Sequence, residues 1–203
     1  MKLDYVIIGG GIVGVSTAWQ LQQRFPDKKI AIIEKEHQFA CHQTGHNSGV
    51  IHAGVYYQPG SLKAKFCKEG VQATIKFCQD NGIAYEQCGK LLVATNEIEK
   101  TRMLALYERC AQNGIDVELL DEAQLKLREP NIQGVGAIFV KQTGIVNYQD
   151  VTTKMAEKFQ QLGGDVLLEH EVVGLKEDAN GVLELLETGR YLQIQEIQIL
   201  KIF

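Results

Sequence analysis

Three glycines and one glutamate near the start of the chain have types and spacing that suit one kind of chemistry. The glycines form a Gly-x-Gly-x-x-Gly motif at Gly9, Gly11 and Gly14. The first allows a tight turn, the second lets backbone approach a pyrophosphate, and the third lets a helix pack against a strand. A pyrophosphate would lie on the exposed N–H groups that begin the helix at Ile12, at the positive end of its dipole.

Glu34 supplies the acidic partner that the glycine motif requires. It follows the last glycine by about twenty residues, the spacing at which such a carboxylate accepts hydrogen bonds from a ribose diol. The same carboxylate repels a 2′-phosphate, so the motif predicts FAD or NAD and disfavours NADP. The alternative is a glycine turn that happens to precede a surface glutamate.

The elements around the motif predict a βαβ unit. Residues 3–8 have the pattern of a buried strand, residues 12–24 have helical spacing and end before Pro26, and residues 29–33 form a second strand. A strand, a glycine turn, a helix and a strand within about 30 residues give the motif the context in which it binds a dinucleotide.

The rest of the chain predicts further helices and strands around one irregular segment. Residues 38–59 are polar and glycine-rich, as long functional loops often are. Asp150 is the expected N-cap of the last helix, and Asn180-Gly181 is the expected turn of a hairpin. The predicted helices span residues 61–80, 97–113, 121–128 and 151–162. The predicted strands span residues 90–95, 116–120, 135–140, 165–169, 172–176 and 182–186.

Composition excludes several classes of protein. Hydrophobic residues make up 45% and charged residues 23%, as in an ordinary globular chain. The net charge is -4 with no basic block, so nucleic acid is not expected as a partner. Five cysteines without a Cys-x-x-Cys pair predict reduced thiols and no metal site. No apolar run approaches the length of about 20 residues that crosses a bilayer.

A second motif resembles a known family and separates FAD from NAD. Residues 40–70 resemble the D-amino-acid oxidase/glycerol-3-phosphate dehydrogenase superfamily of FAD enzymes. Within them, the segment Gly-His-Asn-Ser-Gly-Val-Ile-His-Ala-Gly at residues 45–54 is most similar to the L-2-hydroxyglutarate dehydrogenase (oxidase) family. The resemblance runs to about residue 181 and includes residues 144–147 and 170–175.

The resemblance implies an α/β fold with a Rossmann-like FAD-binding domain and part of a second, α+β substrate domain. We expect FAD-binding segments at residues 1–60 and 149–203, and part of the substrate or cap domain at residues 61–148. Members of this family continue through an Asn-Cys/Thr-Ala-Gly strand that is missing here, so the chain is expected to be truncated. An open sheet edge beside residues 3–8 would follow, with weak FAD binding and little activity.

The resemblance also implies which residues contact FAD. Lys35 is expected beside the ribose, and the backbone of Val172 beside the adenine. The residues implied to hold the ADP portion are Gly9, Gly11, Gly14 and Glu34, with Ile12 at the helix start. Those implied to line the pyrophosphate and isoalloxazine are Thr44, Asn47, Ser48, Gly49 and Val50.

The reaction implied by the resemblance is oxidation of L-2-hydroxyglutarate to 2-oxoglutarate, with electrons passing to a quinone or oxygen. Two alternatives stay open: another enzyme of the superfamily that acts on an amino acid or glycerol 3-phosphate, or a non-catalytic flavin-binding remnant. A cytoplasmic protein is expected, and peripheral contact with the inner face of the membrane is left open.

His52, Tyr56 and Tyr57 are the candidate catalytic residues. Histidine titrates near neutral pH and suits abstraction of a hydroxyl proton. The alternative is that His52 packs and binds backbone near the flavin without chemistry. The tyrosines could bind the substrate or pack in the core. A dicarboxylate also requires cationic partners. Lys63 and Lys65 are close in sequence but are expected on a solvated helix face, so those partners could lie beyond residue 203.

Overall fold

The computed structural model describes residues 3–177, 183–187 and 190–194. Two compact units make up the chain: Met1–Ser48 with Asn147–Phe203, and Gly49–Val146. The sequence interpretation placed the corresponding boundaries after residues 60 and 148. The second unit is therefore inserted into the chain of the first.

Five helices and twelve strands are described. The helices are α1 (Ile12–Arg24), α2 (Leu62–Asn81), α3 (Glu97–Gln112), α4 (Glu122–Arg128) and α5 (Tyr148–Gln161). The strands are β1 (Tyr5–Ile8), β2 (Ile30–Ile33), β3 (Val50–Ile51), β4 (Tyr85–Glu86), β5 (Lys90–Ala94), β6 (Val117–Leu120), β7 (Gly136–Val140), β8 (Gly144–Val146), β9 (Asp165–Leu167), β10 (Val172–Glu177), β11 (Leu183–Glu187) and β12 (Arg190–Ile194).

A parallel sheet of order β1-β2-β9 forms the centre of the first unit. All four residues of β2 are buried, because helices α1 and α5 cover one face of the sheet and Leu3 and Val172 pack on the other. Phe159 of α5 packs there against Ile30 and Ile32, while Ala31 and Ile33 face the other side with Val172. The βαβ prediction is confirmed, and α1 has the predicted bounds.

Strand β1 lies at the edge of this sheet in the described part of the chain, where its ladder partner is β2. A separate antiparallel sheet has the order β10-β11-β12. Its β10 and β11 pair as the predicted hairpin, with Glu177 opposite Leu183. The predicted Asn180-Gly181 turn itself lies outside the described residues.

The second unit contains two small antiparallel sheets, of order β5-β7-β6 and β3-β8-β4. Helix α3 covers one face of the first sheet, where Met103 and Cys110 pack with Ile138 and Val140. Helix α4 covers the other face through Leu125. No helix of the described residues combines the length and apolarity that a membrane crossing requires.

The predicted N-cap of the last helix is wrong. Helix α5 begins at Tyr148, because the side chain of Asn147 accepts a hydrogen bond from the backbone N–H of Gln149 at 3.0 Å. Asp150 instead lies in the first turn, where a carboxylate favours the positive end of the helix dipole.

Candidate functional site

A crevice opens in the first unit where β1 meets α1. It has a volume of about 170 Å³ and is lined by Ile7, Ile8, Gly9, Gly11, Ile12, Val13, Gly14 and Thr44. Gly9 has φ of 110°, a conformation that glycine adopts at no steric cost, and no atom lies within 4 Å of where its Cβ would stand. The turn therefore exposes bare backbone to the crevice.

Gly14 sets the contact between helix and turn. A Cβ at this position would lie 2.1 Å from the carbonyl oxygen of Gly9 and 3.3 Å from the side chain of Ile7. Any larger residue would push the first turn of α1 away from β1. Gly14 thus acts as the sequence predicts, by close helix–strand packing.

The N-terminus of α1 is suited to a negatively charged ligand. Its N-cap is Gly11, which has no side chain to cap the helix, and the first turn holds no acidic residue. The backbone N–H of Ile12 donates to Thr44 Oγ1 at 3.0 Å, which places a hydroxyl group at the helix start. The N–H groups and helix dipole at this end fit a pyrophosphate.

Glu34 lies beside the glycine turn, as its predicted role requires. Its Oε2 accepts a hydrogen bond from Gly10 N at 2.5 Å, and its Oε1 accepts one from Glu36 N at 2.9 Å. A carboxylate offers about four lone-pair sites, so it can still accept bonds from ribose hydroxyls. Lys35 is exposed, and its Nζ lies 3.7 Å from Glu36 Oε1.

Gly10 is a site residue that the motif did not identify. A Cβ here would lie 2.8 Å from Phe39 and 3.0 Å from Glu34. Its carbonyl oxygen accepts a hydrogen bond from Ala40 N, and Ala40 itself has a positive φ of 62°. The run of three glycines was visible in the sequence, but the motif treats the middle position as free.

The remaining predicted residues of the first unit have different surroundings. Asn47 Nδ2 donates to the carbonyl oxygens of Gln43 and Thr44, at 3.2 and 2.6 Å, and so holds its own loop together. Ser48 is exposed at the end of that loop. Val172 begins β10 and packs beside the sheet face opposite α1.

Gly49 and Val50 belong to the second unit. Gly49 has a positive φ of 67°, and its carbonyl oxygen accepts a hydrogen bond from Val146 N at 2.8 Å. Val50 begins β3 and pairs with Ile145 of β8. These pairings fix the backbone of both predicted flavin contacts.

The candidate catalytic residues are exposed, although the residues between His52 and Tyr56 are buried. Ala53 and Val55 are buried, whereas His52 is exposed and Tyr56 and Tyr57 are 58% and 37% exposed. Core packing, the alternative for the two tyrosines, is therefore wrong.

Hydrogen bonds from other side chains to backbone carbonyls hold the segment of residues 52–57, and its own exposed side chains stay accessible. The carbonyl oxygen of His52 accepts a bond from Cys67 Sγ at 2.9 Å, and that of Tyr57 accepts one from Asn113 Nδ2 at 2.9 Å. Burial raises the pKa of the Cys67 thiol, so it serves here as a neutral donor.

Lys63 and Lys65 are exposed on α2, as the helix-face interpretation predicts. Among the residues that the structure describes, no group of three or more His, Cys, Asp or Glu side chains could hold a metal ion.

Fold and crevice together define a flavoprotein class. The family model described as FAD dependent oxidoreductase matches residues 4–197. The chain therefore belongs to the FAD-dependent oxidoreductase family. The glycine turn and the helix start line the crevice, and Glu34 binds the turn through Gly10 N, an arrangement suited to the ADP half of FAD.

Sequence relatives narrow the class further. The chain is 60% identical over 180 residues to L-2-hydroxyglutarate dehydrogenase of Escherichia coli strain K12, which covers 89% of this chain and 43% of that protein. It is 48% identical over 176 residues to the human mitochondrial L-2-hydroxyglutarate dehydrogenase, which covers 86% of this chain and 38% of that protein. The chain thus spans less than half the length of these two curated relatives. The resemblance drawn from residues 40–70 is confirmed.

Solved structures share the fold. L-alpha-glycerophosphate oxidase from Mycoplasma pneumoniae, with FAD bound, has a TM-score of 0.86 at 24% identity, covering 96% of this chain and 52% of that one. Glycine oxidase from Bacillus cereus has a TM-score of 0.79 at 27% identity, covering 95% and 53%. The predicted α/β, Rossmann-like fold is confirmed.

Proposed function

We propose that this chain provides the FAD-binding unit and part of the substrate domain of an enzyme that oxidises L-2-hydroxyglutarate to 2-oxoglutarate. One observation carries the proposal: a chain 60% identical to an L-2-hydroxyglutarate dehydrogenase also has the glycine-turn crevice with Glu34 beside it.

The residues of the crevice would position the cofactor. Glu34 would accept hydrogen bonds from the adenosine ribose, and the start of α1, with Thr44, would hold the pyrophosphate. Lys35 would lie at the ribose edge, and the Val172 backbone beside the adenine. Asn47, Ser48, Gly49 and Val50 would continue along the cofactor. Bound FAD supplies the acceptor for two electrons and the carbon-bound hydrogen of the alcohol.

The side chains of the exposed segment would act on the substrate. His52 would accept the hydroxyl proton while the adjacent carbon loses its hydrogen, so that the alcohol becomes a ketone. Tyr56 and Tyr57 would donate hydrogen bonds to the substrate's carboxylate or hydroxyl oxygens. Their exposure and the fixed backbone beneath them support these roles.

A quinone or oxygen would reoxidise the cofactor. Peripheral contact with a membrane would follow if the acceptor is a lipid-soluble quinone. We propose a cytoplasmic location, which cell fractionation tests.

The test of this function replaces the matching segment of the Escherichia coli relative with residues 1–180 of this chain. The purified hybrid, reconstituted with FAD, is titrated anaerobically with L-2-hydroxyglutarate while the flavin absorbance is followed. We expect bleaching with this substrate but not with glycine or glycerol 3-phosphate.

A His52→Asn hybrid is the matched variant. It should bind FAD as the parent does but bleach about 100-fold more slowly, the usual contribution of a proton-transfer group. Bleaching by glycine or glycerol 3-phosphate instead would assign the site to another branch of the superfamily. A hybrid that binds FAD but is bleached by none of the three would support the non-catalytic remnant.

A further inference from the structure

Lys90 occupies an unusual position in the second unit. Strand residues alternate between two faces, and the next residues of β5 on its face, Leu92 and Ala94, belong to the core beneath α3. Leu91 and Val93 pack on the opposite face with α4. The side chain of Lys90 therefore lies on the core-facing side of the sheet, at the first residue of β5. Lysine is rarely found on such a face.

Around Lys90, the described residues place aromatic and cationic groups but no balancing acid. Its Nζ lies 5.2 Å from the centroid of the Tyr56 ring, within the range of a cation–π contact. Burial lowers the pKa of Lys90, and the Cys110 thiol opposes this. In the described part of the chain, no carboxylate lies within ion-pair distance of Lys90. Arg109 Nη1 donates to the Tyr56 carbonyl oxygen at 3.4 Å.

The backbone before Lys90 holds it in this place. Gly89 has a positive φ of 75°, and a Cβ there would lie 2.3 Å from the ring of Phe139. Its N–H donates to the Thr143 carbonyl oxygen at 2.9 Å, and Lys90 then pairs with Val140 in the sheet. The ammonium group is therefore presented by a turn and a strand that are both fixed.

We propose that Lys90, with the ring of Tyr56, is the binding point for a carboxylate group of the substrate. Lys90 is a half-buried cation with no acidic partner among the residues that the structure describes. Such a cation gains a strong interaction when an anion binds, because the surrounding dielectric is low. Tyr56 belongs to the same exposed segment as His52, so this assignment rests on the proposed function. It makes Lys90 a specificity-determining residue, whereas the sequence pointed only to Lys63 and Lys65.

Competitive amine labelling tests the assignment on the chain as it exists, without FAD. The chain is treated with trace acetic anhydride in the presence of glutarate, or of its uncharged analogue glutaramide at the same ionic strength, and the acetylated lysines are quantified by mass spectrometry. We expect glutarate to slow acetylation of Lys90 roughly fivefold or more and glutaramide to leave it unchanged. Lys76, exposed on α2 and paired with Asp80, is the internal reference and should show no protection.

Two variants separate the charge of Lys90 from its packing. The affinity for glutarate should fall roughly tenfold in Lys90→Met. It should stay close to that of the parent chain in Lys90→Arg and should be unchanged in Lys76→Met. Unprotected Lys90, or equal protection of Lys76, would overturn the proposal, even if Lys90→Met failed to fold. Neither measurement involves flavin, so the two proposals can fail separately. If glutarate protects Lys90 but L-2-hydroxyglutarate does not bleach the flavin of the hybrid, the proposed reaction is rejected and the anion site stands.

Discussion

At the scale of single residues, the short polar contacts of Glu34 define the site. Its two carboxylate oxygens bind the backbone N–H groups of Gly10 and Glu36, which aims the side chain along the glycine turn. The motif spacing predicts a carboxylate beside the glycine turn, but not its bonds to these two N–H groups. It does not predict Lys90, because only the folded sheet brings that ammonium group to the Tyr56 ring.

Asp4 gives a prediction about pH. The hydrogen bond from Lys29 N, at 2.8 Å, and that from the Lys28 ammonium hold the pKa of this carboxyl below its usual range. The unfolded chain therefore binds the proton more readily than the folded one. The stabilisation is present above the unfolded-state pKa and is lost as the pH falls through the folded-state pKa.

Replacement of this carboxylate should lower stability only where it is charged. After allowance for solvent screening, Asp4→Asn should reduce the free energy of unfolding at neutral pH by about 0.5–1 kcal/mol. Urea unfolding of both proteins across the acid range measures the difference, which should vanish at low pH. The control, Asp80→Asn in the exposed pair with Lys76, should cost less. A difference for Asp4→Asn that persists unchanged in acid would contradict this account.

At the scale of elements, glycine has opposite effects in two helices. Gly14 of α1 lies against the Gly9 carbonyl oxygen, whereas no atom outside α2 lies within 4 Å of a Cβ at Gly70. Gly14→Ala should destabilise the chain by about 2 kcal/mol or more, because the helix must move away from the turn. Gly70→Ala should stabilise it by about 0.5–1 kcal/mol, since alanine favours the helix. Thermal unfolding measures both, and equal effects would exclude the packing role of Gly14.

The start of α5 gives a second prediction for an element. Asn147→Ala should cost about 1 kcal/mol, because it removes the side chain that caps the helix. Asp150→Ala should cost only about 0.3–0.5 kcal/mol, the interaction of a first-turn carboxylate with the helix dipole. Denaturant unfolding of the two variants compares them, and a larger loss at Asp150 would restore the original interpretation.

The long periodic elements were predictable from the sequence, and the very short ones were not. Helix α1 and the strands β1 and β2 follow from apolar spacing and the glycine turn. Strand β3 has two residues, and its ladder forms with β8 far along the chain, so no local pattern marks it. The N-cap error at α5 has a related cause, because Asn147 and Asp150 are both good caps and only the fold selects one.

At the scale of the whole molecule, the chain spans less than half the length of its Escherichia coli and human relatives. In the described residues, β1 has a ladder partner on one side only. We predict that contacts to the ADP half supply most of the affinity that the purified chain has for FAD.

Competition for FAD tests the central claim that the glycine turn and Glu34 hold the ADP half of the cofactor. FAD fluorescence is followed on the purified chain while ADP or FMN is added, and on the variants Glu34→Ala and Glu36→Gln. We predict that ADP displaces FAD and FMN does not, and that Glu34→Ala weakens FAD and ADP alike by about tenfold while Glu36→Gln changes little. Displacement by FMN as effective as by ADP, or unaltered binding in Glu34→Ala, would contradict it.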